Sequence, residues 1–555
     1  MTSAVTLPDR VAADDGAPPG HLAPPSTDPN PPAETFGDRL NPILVKETRQ
    51  ALKSRQFIIT FSVLLVAALG WTVVGTLSLM PQVYTTPSAP RLLIGYYLVL
   101  AVPMMIIVPL TAFRSLETEI DDGTLELLSI TTLLPRQVVR GKLHSAMLQM
   151  MLYFVVLFPC VAYAYTLRGV DLPTVAILLT LLPATGIFLS SFALFMASLQ
   201  RGRTGRIVTL LTTLGLLVTS LAATSSAVIP LITGDLVVGD SETVYTLTLL
   251  AVAAVMTTVL LLSAAAAQLT PPTENRSTTL RLAMLGALTA VVATLAAAPL
   301  RRDFRALWTD DLYGGVAIMV VVLWIVAASL MAAESAILTP RIRRELPASV
   351  AARATMNLLT PGPATGALLG VMTLWAAIVA LLAIYQASGI PAVAAFSVYG
   401  NDPLPRVLLG VGVYGTIGIA AVRVLVAVVR RRNATRVEIG LAALIVCVVL
   451  TSLLPYGVGL HLNDYIPFSH NLWQTPNSLW TLYELSAVVP PASAFRSLAL
   501  AAGFAIVSAA GLLFSSPRLA FPRRIATPKR VVDERRRGRA MTPAVGGVGS
   551  VGGRS

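Results

Sequence analysis

Five carboxylates, Glu117, Glu119, Asp121, Asp122 and Glu126, fall within ten residues of the stretch Arg114–Lys142, RSLETEIDDGTLELLSITTLLPRQVVRGK. The chemistry they offer is electrostatic. Carboxylates on a short helix meet basic or backbone-donor groups of a second surface, and a desolvated pair of that kind is worth far more than one facing water. Charge runs usually face solvent, so a solvated interhelical loop is the plain alternative. Hydrolytic or metal chemistry has no pattern to stand on. The four histidines (His21, His144, His461, His470) and two cysteines (Cys160, Cys447) form no HExxH and no cluster at ligand spacing, and neither a G-x-S-x-G nor a G-x-x-x-x-G-K-[ST] loop occurs. We therefore expect a non-catalytic chain with no cofactor and no metal. If ATP drives it, the ATPase is a separate polypeptide.

The elements that would hold these carboxylates can be read from spacing. Leu116, Ile120, Leu127 and Leu128 recur at roughly helical intervals. Gly123 interrupts the run, and Thr124 follows as an N-cap with Glu126 in the first turn, where a negative side chain suits the helix dipole. The reading is two short helices with a hinge between them. Pro135 then opens a further helix through Arg140 and Lys142. Upstream, Asn41 caps a helix with Pro42 at its first position. Leu40, Ile43, Leu44, Ala51 and Leu52 fall on one side, with Lys46, Arg49, Lys53 and Ser54 on or near the other, as in a helix lying along the inner leaflet, the plain alternative being a cytoplasmic preface to the first span.

Composition places these elements at a membrane. The 555 residues are 55% hydrophobic and only 12% charged, with a mean hydropathy of +0.73. Soluble domains run at about 45–50% and about 25%. The fold class expected is an all-α polytopic membrane protein of about 12 transmembrane helices. The apolar segments are Ile58–Met80, Leu92–Phe113, Leu143–Leu167, Thr174–Leu199, Ile207–Ile232, Val244–Leu269, Leu282–Leu300, Gly314–Leu338, Gly366–Ala387, Val407–Val429, Ile439–Val458 and Phe495–Phe514.

The domain reading follows. Residues 1–38 are a disordered Pro-rich N-terminus and 39–57 the amphipathic interfacial helix. A first six-span domain, 58–269, contains the loop 114–142. A linker, 270–281, leads to a second six-span domain, 282–516, and 517–555 form a basic disordered tail suited to anionic lipid. The loop 339–364 holds the place of 114–142 in the second set, but it is basic (PRIRRE) and shows no GTLE counterpart. Lys and Arg concentrate on alternate loops, which puts both termini and 114–142 in the cytoplasm; the membrane expected is a bacterial-type plasma or inner membrane. Arg301, Arg302, Arg305 and Arg406 are the exceptions. Glu334 and Arg423, near span ends, read as snorkelling side chains. The net charge of +13 sits at span ends and in the tail, so membrane lipids rather than nucleic acid are its partner. Residues 458–491, with Trp473, Trp480, Tyr465, Tyr483, His461 and His470, form the longest outside interval, read as an aromatic belt or a cap.

Taken together, Glu117-x-Glu119…Gly123-Thr124-Leu125-Glu126-Leu127…Pro135…Gly141-Lys142 resembles the segment after the second span in permease subunits of the ABC-2 type, which carry E…GTLELL…P…GK there. Arg39–Phe57, RLNPILVKETRQALKSRQF, is similar to the N-terminal stretch of that family, and the resemblance covers about residues 39–270. It implies that Glu117, Glu119, Gly123, Thr124, Glu126 and Leu127 form a cytoplasmic coupling helix docking on a separate ABC ATPase subunit. Asn41, Pro42, Lys46, Glu47 and Arg49 belong to the interfacial helix. A homodimer or a second permease completing the pathway stays open, as do import against export and the cargo. The alternatives are an ion-coupled secondary transporter and a non-transporting membrane scaffold or assembly protein.

Overall fold

The computed structural model describes residues 42–81, 86–123, 134–199, 202–234, 241–271, 274–300, 311–335, 339–345, 357–387, 403–431, 439–487 and 489–514, with a few isolated positions between and after them. Every regular element among them is helical. Twelve helices are long and apolar enough to cross a bilayer. The protein is an all-α polytopic membrane protein, because only helices satisfy every backbone donor and acceptor inside a segment that lipid surrounds.

A short helix, α1 (Pro42–Lys53), comes first. The 39–57 stretch divides at Ser54, which is extended (ψ 137°) and whose Oγ accepts from the Phe57 amide at 3.1 Å. A cap of this kind starts a new helix in a new direction. That helix is the first span, α2 (Arg55–Ser78). The second span runs from Ala89 to Asp121 as α3 (Ala89–Val102), a π-helical turn (Pro103–Ile107) and α4 (Val108–Asp121). Pro109 has no N–H to give the Met105 carbonyl, and the widened turn absorbs the lost bond. Then follow α5 (Pro135–Thr166), α6 (Leu172–Leu199), α7 (Gly202–Thr233) and α8 (Ser241–Leu269).

The second set is α9 (Ser277–Leu300), α10 (Asp311–Ala332), α12 (Pro363–Ala387), α13 (Leu404–Arg430), α14 (Ile439–Leu462) and α16 (Ala492–Phe514). The short α11 (Pro340–Glu345) and α15 (Ser478–Ser486) lie in the connections. Two large clusters of buried apolar side chains fill the two sets, one centred on the second span and α6, the other on α10, α12 and α13. The second span is the most enclosed, 61% buried over its apolar window against 11% for α2. Ile59, Val63, Val66, Val73, Val74 and Leu77 of α2 are exposed. Such a surface would be an aggregation liability in water and is a lipid face in a membrane.

Long-range bonds fix which chain ends share a face. Arg206 reaches Glu117 and Asp121, Arg136 reaches Thr279, Arg341 reaches Glu274 and Arg430 reaches the end of α10. We call this the proximal face. On the other, distal face the Ala89 amide donates to the Arg168 carbonyl, and Arg406 binds the end of α15. The alternation of twelve spans is thus written in side-chain and backbone bonds as well as in hydropathy.

Candidate functional site

The carboxylate stretch is built differently from two short helices. Residues 114–121 continue the second span without a break, since Leu116 carries on the buried stripe of Ala112 and Phe113. Charge ends a hydropathy window, but it does not end a helix. Gly123 ends it: φ there is +67°, the left-handed position that glycine takes after a helix C-terminus at little cost. Thr124, Glu126 and Leu127 lie outside the described residues, as does Asn41. Pro42 is the first helical residue of α1. Pro135 takes the first position of α5, where the Leu134 amide donates to Gln137 Oε1 at 2.9 Å.

At the proximal face three elements meet on Lys142. Its ammonium lies 3.1 Å from Glu47 of α1, 3.1 Å from Glu119 of α4 and 2.7 Å from the Ser115 hydroxyl, and its side chain is only 1% exposed. Ser115 in turn donates to Glu47 at 3.0 Å. Lys46, itself well exposed, stands 3.7 Å from Glu119. Two cations and two carboxylates therefore balance in one knot, which is what lets Lys142 and the two carboxylates sit largely out of water while Lys46 stays at the surface. A few residues along, Arg206 at the start of α7 takes Asp121 at 2.5 Å and Glu117 at 3.6 Å. Asp122 and Arg49 are exposed.

Of the six coupling residues and five interfacial-helix residues named above, the structure brings Lys46, Glu47 and Glu119 together and sets Glu117 beside them. Glu47, Glu119 and Glu117 are spoken for within the chain and Asp121, though exposed, is paired with Arg206, so Asp122 is the exposed carboxylate of this group outside these ion pairs among the described residues. Sequence reading missed Ser115 and the meeting of Lys142 and Arg206 with acidic groups. No signal in the pattern could have found them, since Glu47 and Lys142 are 95 positions apart.

A second buried charge site lies on the same face. Arg281 at the start of α9 is 1% exposed. It donates to Glu334 at 2.6 Å and to the carbonyls of Thr360 at 2.7 Å and Gly362 at 3.1 Å. Glu334 accepts from the Gly362 amide at 2.8 Å. Arg430 donates to the Ala333 and Glu334 carbonyls, satisfying the end of α10. Glu334 does not snorkel. Its partner arrives from 53 residues upstream, and pairing costs less than stretching a short carboxylate side chain to water.

In the distal interval 458–491, α15 packs across α13, α14 and α16 and caps that end of the second bundle. Arg406, an exception to the charge pattern, is fully buried and donates to the Leu485 carbonyl at 2.7 Å and to the Ala487 carbonyl, closing the end of α15. His470 is buried between the hydroxyls of Ser493 and Thr481, each at 3.2 Å. Burial pushes its imidazole below the ordinary histidine range, against a smaller upward pull from Glu484. Trp480 packs with Tyr456, Phe468 and His470, whereas Trp473, Tyr465 and Tyr483 are each at least 70% exposed. The aromatics thus divide between a small core and an outward rim. Comparison of the chain with family models, with curated proteins and with solved structures gives no match.

Proposed function

We propose that the chain is the transmembrane permease subunit of an ABC-2-like transporter, driven by a separate ATPase that docks on the proximal face. In this reading the proximal face is the cytoplasmic one of a bacterial-type plasma or inner membrane. One observation carries it: Lys142 ties the N-terminal helix α1, the end of the second span and the start of the third at a single buried point. A push on the 117–123 helix end is thereby delivered to three elements at once. The second span is also the most enclosed, so its displacement repacks the first bundle rather than one loop. A partner would meet Asp122 and the turn at Gly123 first. Docking then competes with Arg206 for Glu117 and Asp121, an exchange of surface ion pairs that costs little.

A carrier driven by ions would ordinarily place a carboxylate near mid-membrane. In the described spans Asp and Glu fall only at helix ends.

The test is ATPase stimulation and complex recovery with a co-expressed P-loop ATPase, measured for Asp122→Ala, Glu117→Ala and Gly123→Pro beside the distal control Asp171→Ala. Proline cannot take φ +67°, so Gly123→Pro displaces the helix end itself. Expected are lowered recovery and stimulation, strongest for Gly123→Pro, with insertion and monodispersity unchanged. Wild-type recovery and stimulation in all three would make this stretch a solvated helix end and remove the reading.

A further inference from the structure

The structure assigns the chain as a tandem repeat of one six-helix unit, with a second partner-docking surface on α11, in the same connection between second and third helices that 117–123 enters in the first unit. The docking half of this inference rests on the permease reading above. The repeat does not.

The repeat is visible in which helices pack together. Counting Ala89–Asp121 as one helix, the units are α2 to α8 and α9 to α16. In both, the second helix packs on the third, fourth and fifth, and the fourth packs on the third, fifth and sixth. In both, the third helix also packs on the first and the sixth, and the first touches the second. In neither does the first helix pack substantially on the fourth, fifth or sixth. The second, third and fourth helices each pack on four of the other five, and the fourth is the one of these that does not pack substantially on the first. With that helix identified, a sequence echo appears: α6 opens Leu172-Pro173-Thr174-Val175 and α13 opens Leu404-Pro405-Arg406-Val407. The same offset aligns Gly186-Ile187 with Gly418-Ile419.

The charged junctions are equivalent too. In the first unit Lys142, at the start of the third helix, holds Glu119 at the end of the second and Glu47 just before the first. In the second unit Glu334 follows the second helix and takes both the Gly362 amide, at the start of the third, and Arg281, in the first. Each junction ties the end of the second helix and the start of the third to the start of its unit, at α1 in one and in the first helix in the other, through a buried ion pair. Thr355-Met356-Asn357-Leu358-Leu359 stands before the third helix of the second unit as Thr124-Leu125-Glu126-Leu127-Leu128 does in the first.

The surfaces beside the two junctions differ in sign. Beside the first lie Glu117, Asp121 and Asp122. Beside the second lie Arg341 and Arg431, exposed, with Arg343 and Arg344 half-buried on α11. Arg341 pairs with Glu274 at 3.0 Å, an exposed bond that a partner can exchange. The occupant that fits is an acidic face of a nucleotide-hydrolysing subunit, opposite in sign to the face that fits the first unit. One chain would therefore carry two such subunits, docked through unlike faces.

Photo-crosslinking residues placed singly at Asp122 and at Arg341 of the full chain, in membranes holding the co-expressed ATPase, test this. Expected is the nucleotide-binding chain trapped from both positions, and an Arg341→Glu, Arg344→Glu variant losing the Arg341-side product and about half of the ATPase stimulation. Trapping from Asp122 alone overturns the second surface and leaves the permease reading intact. Trapping of phospholipid alone at Arg341 overturns it as well and makes α11 a lipid contact. Trapping of the ATPase at neither position removes both.

Discussion

Replacing Lys142 by methionine removes the one cation that Glu47 and Glu119 share at 3.1 Å each, in a site where its own side chain is 1% exposed. Taking one partner from a buried ion pair typically costs about 3–5 kcal/mol, because the remaining charge is left desolvated. Lys46 at 3.7 Å from Glu119 and the Ser115 hydroxyl on Glu47 soften the loss, so the lower end, about 3 kcal/mol, is expected. Arg206→Ala is the matched comparison. It also breaks two carboxylate contacts, but its side chain is 44% exposed, and exposed pairs are worth about 0–1 kcal/mol. A six-helix unit falls in the size class where 1 kcal/mol moves Tm by about 2–4 °C. Thermal unfolding of the detergent-solubilised chain, followed by monodispersity, should therefore drop by about 6–12 °C for Lys142→Met. For Arg206→Ala it should drop by under about 4 °C. Adding Glu47→Gln and Glu119→Gln to Lys142→Met should recover most of the loss, since no buried charge is then unpaired. Equal effects of Lys142→Met and Arg206→Ala, or no recovery on neutralising the carboxylates, would refute the account of this knot.

Two further outcomes follow from packing and titration. On α12, Gly366 and Gly370 form a small-xxx-small face against α10, where a Cβ on Gly366 would stand 2.3 Å from the Met331 carbonyl and one on Gly370 2.5 Å from the Ala328 methyl. Gly370→Leu should therefore yield inserted but polydisperse protein, while Gly503→Leu, with open space around it, should run as wild type. In the distal cap, the unfolded chain binds a proton at His470 more readily than the folded one, because the folded imidazole lies below its ordinary value. Cap stability is then fully present above about pH 6.5 and falls as pH drops from there toward the depressed folded value. Protection of the 470–486 amides, taken relative to the intrinsic exchange rate at each pH, should be lower at pH 5 than at pH 7.5, and His470→Gln should flatten that difference. An unchanged pH response in the variant would assign it to another group.

The sequence alone determined the class of the molecule, the number of spans and where most of them begin and end. A bilayer imposes about 20 apolar residues per crossing and forbids unpaired backbone, and both demands are written in one dimension. The helix starts at Pro42 and Pro135 were legible for a related reason: proline fixes φ and lacks an amide, a purely local fact. Tertiary structure alone decided what the charges do. Glu117–Asp121 reads as a free acidic run, yet the fold delivers Lys142 and Arg206 to it. Glu334 reads as a snorkelling side chain, yet Arg281 reaches it across the bundle, and Arg406, an exception to the charge pattern, closes a helix end. Ion pairs form between residues 23 to 95 positions apart, and their choice is set by which helices pack, a matter of shape between apolar faces that composition does not encode. The repeat was hidden for the same reason. Lipid-facing positions of Leu, Val and Ala drift freely while the order of packing holds, so two units can share a packing scheme after most of their sequence likeness is gone.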